Sequence, residues 1–140
     1  MLRCSSRMAT NRKPTSEPSA PVLVADDDKD ARETVADILR HEGFNVVTAC
    51  DGQDAVEWMD HSPRPAAILL DLSMPRMGGH EVLQWLRRHR RFATVPVCIM
   101  SAEPDHAEGV ALAVRKPLLM PRLARVLEFL NEAIRRPAVA

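Results

Sequence analysis

Cysteine is scarce in this chain and forms no pattern. Cys4, Cys50 and Cys98 are scattered, odd in number and make no CxxC. That excludes a disulfide or zinc framework and reads as reduced thiols in a cytosolic protein. Net charge is also lacking, because 19 Lys and Arg offset 19 Asp and Glu. A balanced chain argues against nucleic acid or an anionic membrane as an obligate partner, since both select a basic surface. No apolar run approaches the length that crosses a bilayer. The five histidines show no metal-ligand spacing, and no internal repeat is visible. Residues 1–19 carry one acid, Glu17, among Ser, Thr, Pro, Arg and Lys. They lack the apolar core of a signal peptide and read as a disordered leader.

What is present is a soluble globular composition, 46% apolar and 27% charged over 140 residues. That suits one domain with a sizeable core, expected over residues 20–136 with a short tail at 137–140. From Pro21 onward, strand and helix signals alternate, which argues for a parallel sheet covered by helices. Strands are expected at residues 22–25, 45–49, 66–70, 95–100 and 110–114. Asp30 with Glu33 reads as a capping box opening the first helix, whose apolar positions are Ala31, Val35, Ile38 and Leu39. Gly43 stops it. Asp51 caps the second helix, with Ala55, Val56 and Met59 inward. The third runs from about His80 to Arg90, with Val82, Leu83, Trp85 and Leu86 inward. The last has Pro121 in its first turn and Leu123, Val126, Leu127, Leu130 and Ile134 on its apolar face. Only eight residues, Ala102 to Gly109, separate the fourth strand from the fifth. They leave room for a single helical turn at most.

The chemistry gathers at strand ends. Ala66-Ala67-Ile68-Leu69-Leu70 empties into Asp71 and a loop bearing Pro75, Gly78 and Gly79. Val22-Leu23-Val24-Ala25 empties into Asp26-Asp27-Asp28. Sites in parallel α/β sheets lie outside the carboxyl ends of the strands, so these acids would form one anionic pocket. Crowded carboxylates repel, and a hard divalent cation with oxygen ligands relieves them. One of the acids could then attack a phosphoryl group. Each residue also has a plainer reading. Three Asp before a helix suit its dipole, Asp71 alone is a loop acid, and Lys116 alone a solvated lysine. Asp28 and Asp30 stay with the plainer reading, as supports behind the pocket acids or as helix caps. Trp58 and Trp85 read as helix packing. The run Arg87-Arg88-His89-Arg90-Arg91 reads as a helix C-terminus complementing its dipole.

Taken together, these motifs resemble the two-component response-regulator receiver domain. The matching segments are Val22 to Asp27, Leu70-Asp71 with Met74-Pro75 and Met77-Gly78, Met100-Ser101-Ala102, and Arg115-Lys116-Pro117. The resemblance covers about Pro21 to Ile134. It implies a flavodoxin-like, doubly wound α/β fold with five parallel strands in the order 2-1-3-4-5, here with the family's fourth helix short or absent. It implies that Asp71 is the phosphoacceptor. Asp26, Asp27, Asp71 and the backbone carbonyl of Ser73 would hold Mg2+. Lys116 and Ser101 would contact phosphoryl oxygens, with Lys116-Pro117 as the family's cis peptide. Ser73 and Glu103 would influence the water that hydrolyses the phosphoryl group.

The output side departs from the family. Ala113 stands where the family usually has Tyr or Phe, and Leu118 and Leu119 follow the Lys-Pro pair. The expectation is a stand-alone cytoplasmic signalling receiver, not a metabolic enzyme. Its donor would be a histidine kinase or histidine phosphotransfer protein. Its output would be docking to an unknown downstream protein, with no direct nucleic-acid or membrane partner. It would be a monomer or a dimer of non-standard packing. Two competing readings are a phosphorylation-independent, receiver-like interaction module and a Mg2+-dependent aspartyl phosphatase of the haloacid-dehalogenase type. The phosphatase wants a second Asp where Ser73 stands, and it wants a cap domain.

Overall fold

The computed structural model describes residues 20–102 and 110–135. The expected leader (1–19), tail (137–140), Glu103 and most of the fourth crossover lie outside the described residues. Five strands, β1 (Val22–Ala25), β2 (Val46–Ala49), β3 (Ala67–Asp71), β4 (Val97–Ser101) and β5 (Leu112–Arg115), form one sheet. Its order is β2-β1-β3-β4-β5 and every described pairing is parallel. This is the doubly wound order expected from the resemblance.

The strands read as continuous apolar runs because both faces of the sheet are covered. Successive side chains point to opposite faces. Leu23, Ala25, Ile68, Leu70 and Ile99 therefore enter one core, with Ala55 and Met59 of α2 (Gly52–Asp60) and Val82, Leu83 and Leu86 of α3 (Gly79–Arg88). Val22, Val24, Leu69, Cys98 and Met100 enter the other. That core is closed by Val35, Ala36 and Leu39 of α1 (Lys29–His41) and Val126 and Leu130 of α4 (Arg122–Leu130). Fully buried positions such as Leu39 and Ile99 would lose about 2–5 kcal/mol on truncation to Ala.

The first helix is capped differently from the sequence expectation. Asp28, not Asp30, is its N-cap, and its carboxylate accepts from the Asp30 and Ala31 amides at 3.0 and 3.3 Å. Helix spacing could not separate two acids two residues apart. The one nearer the strand wins because β1 ends at Ala25. Strand β5 begins at Leu112 rather than Val110, since Leu112 is the partner of Cys98. Pro121 precedes α4 as its cap instead of lying in its first turn. The helix then widens into a π-helical turn over Asn131–Arg135.

Asp51 caps α2 as expected, accepting from the Asp54 amide at 2.8 Å. Gly43 ends α1's trailing turn at φ 96. Trp58 and Trp85 pack partly buried against the first core. α3 ends at Arg88, short of the expected Arg90, so only Arg87 and Arg88 of the arginine run lie in its last turn; His89 stacks 4.1 Å from Trp85, and Arg91 lies 5.0 Å from the Phe92 ring centre. Only residues 102–111 connect β4 to β5, too few for a crossover helix of the 13 residues that α1 has.

Candidate functional site

Four strands deliver chemistry to the carboxyl edge of the sheet. β1 ends at Ala25, and the chain turns at once because the Asp28 amide donates to Asp26 Oδ1 at 3.0 Å. Asp26 is thereby buried and Asp27 is left exposed. β3 ends in Asp71, whose Oδ1 accepts the Ser73 amide at 3.1 Å. Ser101 ends β4 with its side chain almost wholly buried. One residue past β5, the Lys116 amide donates to the Ser101 carbonyl at 2.8 Å. The Lys116–Pro117 peptide is cis.

These placements bring the charges together. Carboxylate oxygens of Asp26, Asp27 and Asp71 all lie within 4.8 Å of one another. Lys116 Nζ donates to Asp26 Oδ2 at 2.9 Å and to Asp71 Oδ2 at 3.3 Å. Burial, and then the neighbouring Asp26 charge, push the Asp71 carboxyl up to about 6 from an ordinary 3.8, against the Ser73 amide and Lys116, which favour its ionised form. Burial would lower the Lys116 ammonium, but its hydrogen bond to Asp26 and the charges of Asp26 and Asp71 hold it above its ordinary value. The two directions agree: one lysine cannot neutralise three carboxylates. The site therefore lacks positive charge, and it offers only oxygen donors. That is the donor set and the deficit that a hard divalent cation fits.

The remaining expected residues fall into place unevenly. Ser73 is exposed on the β3–α3 loop beside Asp71. Glu103 lies outside the described residues. Ala113 is half-buried on β5 and packs against the first core.

Sequence reasoning missed two arginines. Arg32 is buried in α1 and its Nη1 donates to the Asp26 carbonyl at 3.0 Å. It stands three, four and seven residues before Val35, Ala36 and Leu39, so its helical phase already put it on the buried face. Arg76, in the β3–α3 loop, pairs with Asp51 at the head of α2. Nothing in the sequence signals that contact. A groove of about 500 Å3 opens beside Lys116, between Ala31, Thr34 and Val35 of α1 and the Pro117–Leu119 segment. Next to it Leu119 and Met120 are exposed.

Comparison with known proteins agrees with this geometry. A family model described as the response regulator receiver domain matches residues 22–117. The transcriptional regulatory protein PrrA of Mycobacterium tuberculosis is 40% identical over 97 residues, covering 69% of this chain and 40% of PrrA. The chain thus spans well under two thirds of that relative. Among solved structures, the Vibrio cholerae chemotaxis protein CheY4 aligns with a TM-score of 0.71 at 26% identity, covering 81% of this chain and 99% of CheY4. A response regulator receiver protein from Pseudomonas putida gives 0.73 at 25% identity, covering 83% and 98%.

Proposed function

The chain belongs to the response regulator receiver family, and on that premise we propose that it accepts a phosphoryl group on Asp71 and signals by docking to another protein. One observation carries the reading. A buried strand-end carboxylate sits in one cluster with two further carboxylates, and a lysine bridges it to Asp26. No helix among the described residues is long and apolar enough to cross a membrane.

Asp26, Asp27 and Asp71, with the Ser73 carbonyl, would hold Mg2+. The ion would offset the carboxylate charge and the charge on the transferring phosphoryl group. The protein's own residues do the rest. Ionised Asp71 is the nucleophile, and the Ser73 amide orients its carboxylate. An Asp71 oxygen forms a bond to phosphorus as the donor's bond to phosphorus breaks. With a phosphohistidine donor the P–N bond breaks, and the imidazole nitrogen keeps the electron pair and is protonated as it leaves. Lys116 would pair with one phosphoryl oxygen and the Ser101 hydroxyl with another. By resemblance to the family, Ser73 and Glu103 would influence the water that later cleaves the acyl phosphate. A histidine kinase or histidine phosphotransfer protein would approach this edge, where the groove beside Lys116 and exposed Leu119 and Met120 offer apolar contact.

Intact-mass measurement after incubation with Mg2+ and a small acyl phosphate tests the reading. A phosphate-sized adduct on the wild type and none on Asp71→Asn is expected. No adduct on either would favour the second reading, phosphorylation-independent docking, which is motivated by Ala113 and the short fourth crossover.

A further inference from the structure

The loop after Asp71 is tied down at both ends. At its start, the Ser73 amide donates to Asp71 Oδ1 at 3.1 Å. The Gly79 amide donates to the Leu72 carbonyl at 3.1 Å. At its far side, the Gly52 amide of α2 donates to the Met77 carbonyl at 3.1 Å. A Cβ on Gly52 would overlap that carbonyl oxygen, so the approach requires glycine.

Between these ties stands Arg76 at φ 65. A left-handed conformation is unfavourable for a residue with a Cβ, and loops normally place glycine or asparagine there. Here the side chain compensates. Arg76 Nε donates to Asp51 Oδ2 at 2.9 Å, and Nη2 donates to the same oxygen. The other oxygen of Asp51 caps α2. A carboxylate that is 7% exposed thus joins the helix cap to the loop through charge-assisted hydrogen bonds.

We propose that Arg76 is a positioning residue: its clamp on Asp51 fixes the β3–α3 loop against α2 and thereby holds Ser73 in place on Asp71. The inference rests on the phosphoacceptor reading above. Arg76 belongs to no part of the acidic cluster, so its effect on the acceptor passes through the loop. Releasing the clamp lets the Ser73 amide leave the carboxylate that it orients, and misorientation of a reacting group slows the reaction without unfolding the protein.

Two variants separate this role from bulk stability. Arg76→Gly removes the clamp while relieving the cost of positive φ, so the melting temperature stays close to wild type. Asp51→Asn keeps a competent helix cap but loses the charge that Arg76 grips. Phosphorylation is followed by intact mass at saturating Mg2+ with a small acyl phosphate, and amide hydrogen exchange is followed at Ser73 and Gly52. Each variant is expected to slow phosphorylation about tenfold, the double variant no further, with faster exchange at both amides. Arg76→Lys, which keeps the charge but not the fork, should recover part of the rate. Rates within about twofold of wild type, or losses that multiply in the double variant, overturn the inference. A wild-type chain that takes up no phosphate overturns the acceptor reading and this inference with it. A wild-type chain that does so, beside an Arg76→Gly chain equally fast, overturns the clamp alone.

Discussion

Asp71→Asn should make the protein more stable, and only above a defined pH. The folded protein holds the Asp71 carboxyl at about 6, against 3.8 in the unfolded chain. As pH rises through that interval, the unfolded chain has released its proton while the folded chain still binds it. The Asp71 contribution to wild-type stability therefore falls between about pH 4 and pH 6 and then levels off. The ceiling is set by the shift, and at 1.36 kcal/mol per unit it amounts to about 3 kcal/mol. That figure already includes the favourable contacts with Lys116 and the Ser73 amide, because both act on the shift.

Asn is the neutral stand-in for protonated Asp, of the same size. It has one acceptor oxygen where the carboxylate has two, and both Lys116 and Ser73 are donors. One donor will face the amide nitrogen, so the expected gain is about 1–2 kcal/mol, less than the ceiling. For a folded unit of this size that is a rise in melting temperature of roughly 4–8 °C. The assay is thermal or urea unfolding of both proteins with chelator present, at about pH 3.5, 5 and 8. Because the mismatched donor costs the same at every pH, the Asn variant should be the less stable protein at the lowest pH, near parity in the middle and the more stable by the full gain at the highest. A gain of equal size at all three, or none at the highest, would refute the claim that Asp71 is charge-frustrated.

Four further outcomes follow from the same geometry. Mg2+ near neutral pH should raise the melting temperature of the wild type and leave an Asp26→Ala, Asp27→Ala double variant unmoved, because the linkage needs a site that binds the ion. Hydrolysis of phosphorylated protein should change in rate with Ser73→Ala or Glu103→Ala; two unchanged rates would remove both residues from the water's path. Gly52→Ala should destabilise by about 1–3 kcal/mol in urea unfolding, because its methyl meets the Met77 carbonyl and the Val82 side chain. Backbone NMR with Mg2+ and a phosphoryl mimic should show shifts concentrated around Ser101 and the crossover, with Leu123 to Leu130 nearly still. Large shifts along α4 would imply a coupling route other than the one Ala113 has lost.

The sheet and its acidic edge were legible because burial and chemistry write in residue type. A strand covered on both faces must be apolar throughout, and a strand that ends in Asp must change character at that residue. Hence β1 matched its expected bounds, and Asp26, Asp71 and Lys116 meet although 45 and 90 positions separate Lys116 from its two partners. Boundaries set by pairing were less visible. Leu112 begins β5 because Cys98 lies opposite it, and no pattern within residues 110–114 records that partner.

Arg32 was legible in principle, since its helical phase put a charge on a buried face, and its donation to the Asp26 carbonyl accounts for it. Arg76 was not legible. Its backbone conformation contradicts its residue type, and the contact that compensates comes from Asp51, a residue fully explained by capping alone. A side chain whose local role is complete gives no sign of a second one. Such double use is where local reasoning stops, and here it falls on the loop that orients the candidate acceptor. The acidic cluster can be read as a set of residue types, but its alignment depends on a contact between two loops that only the folded chain brings together.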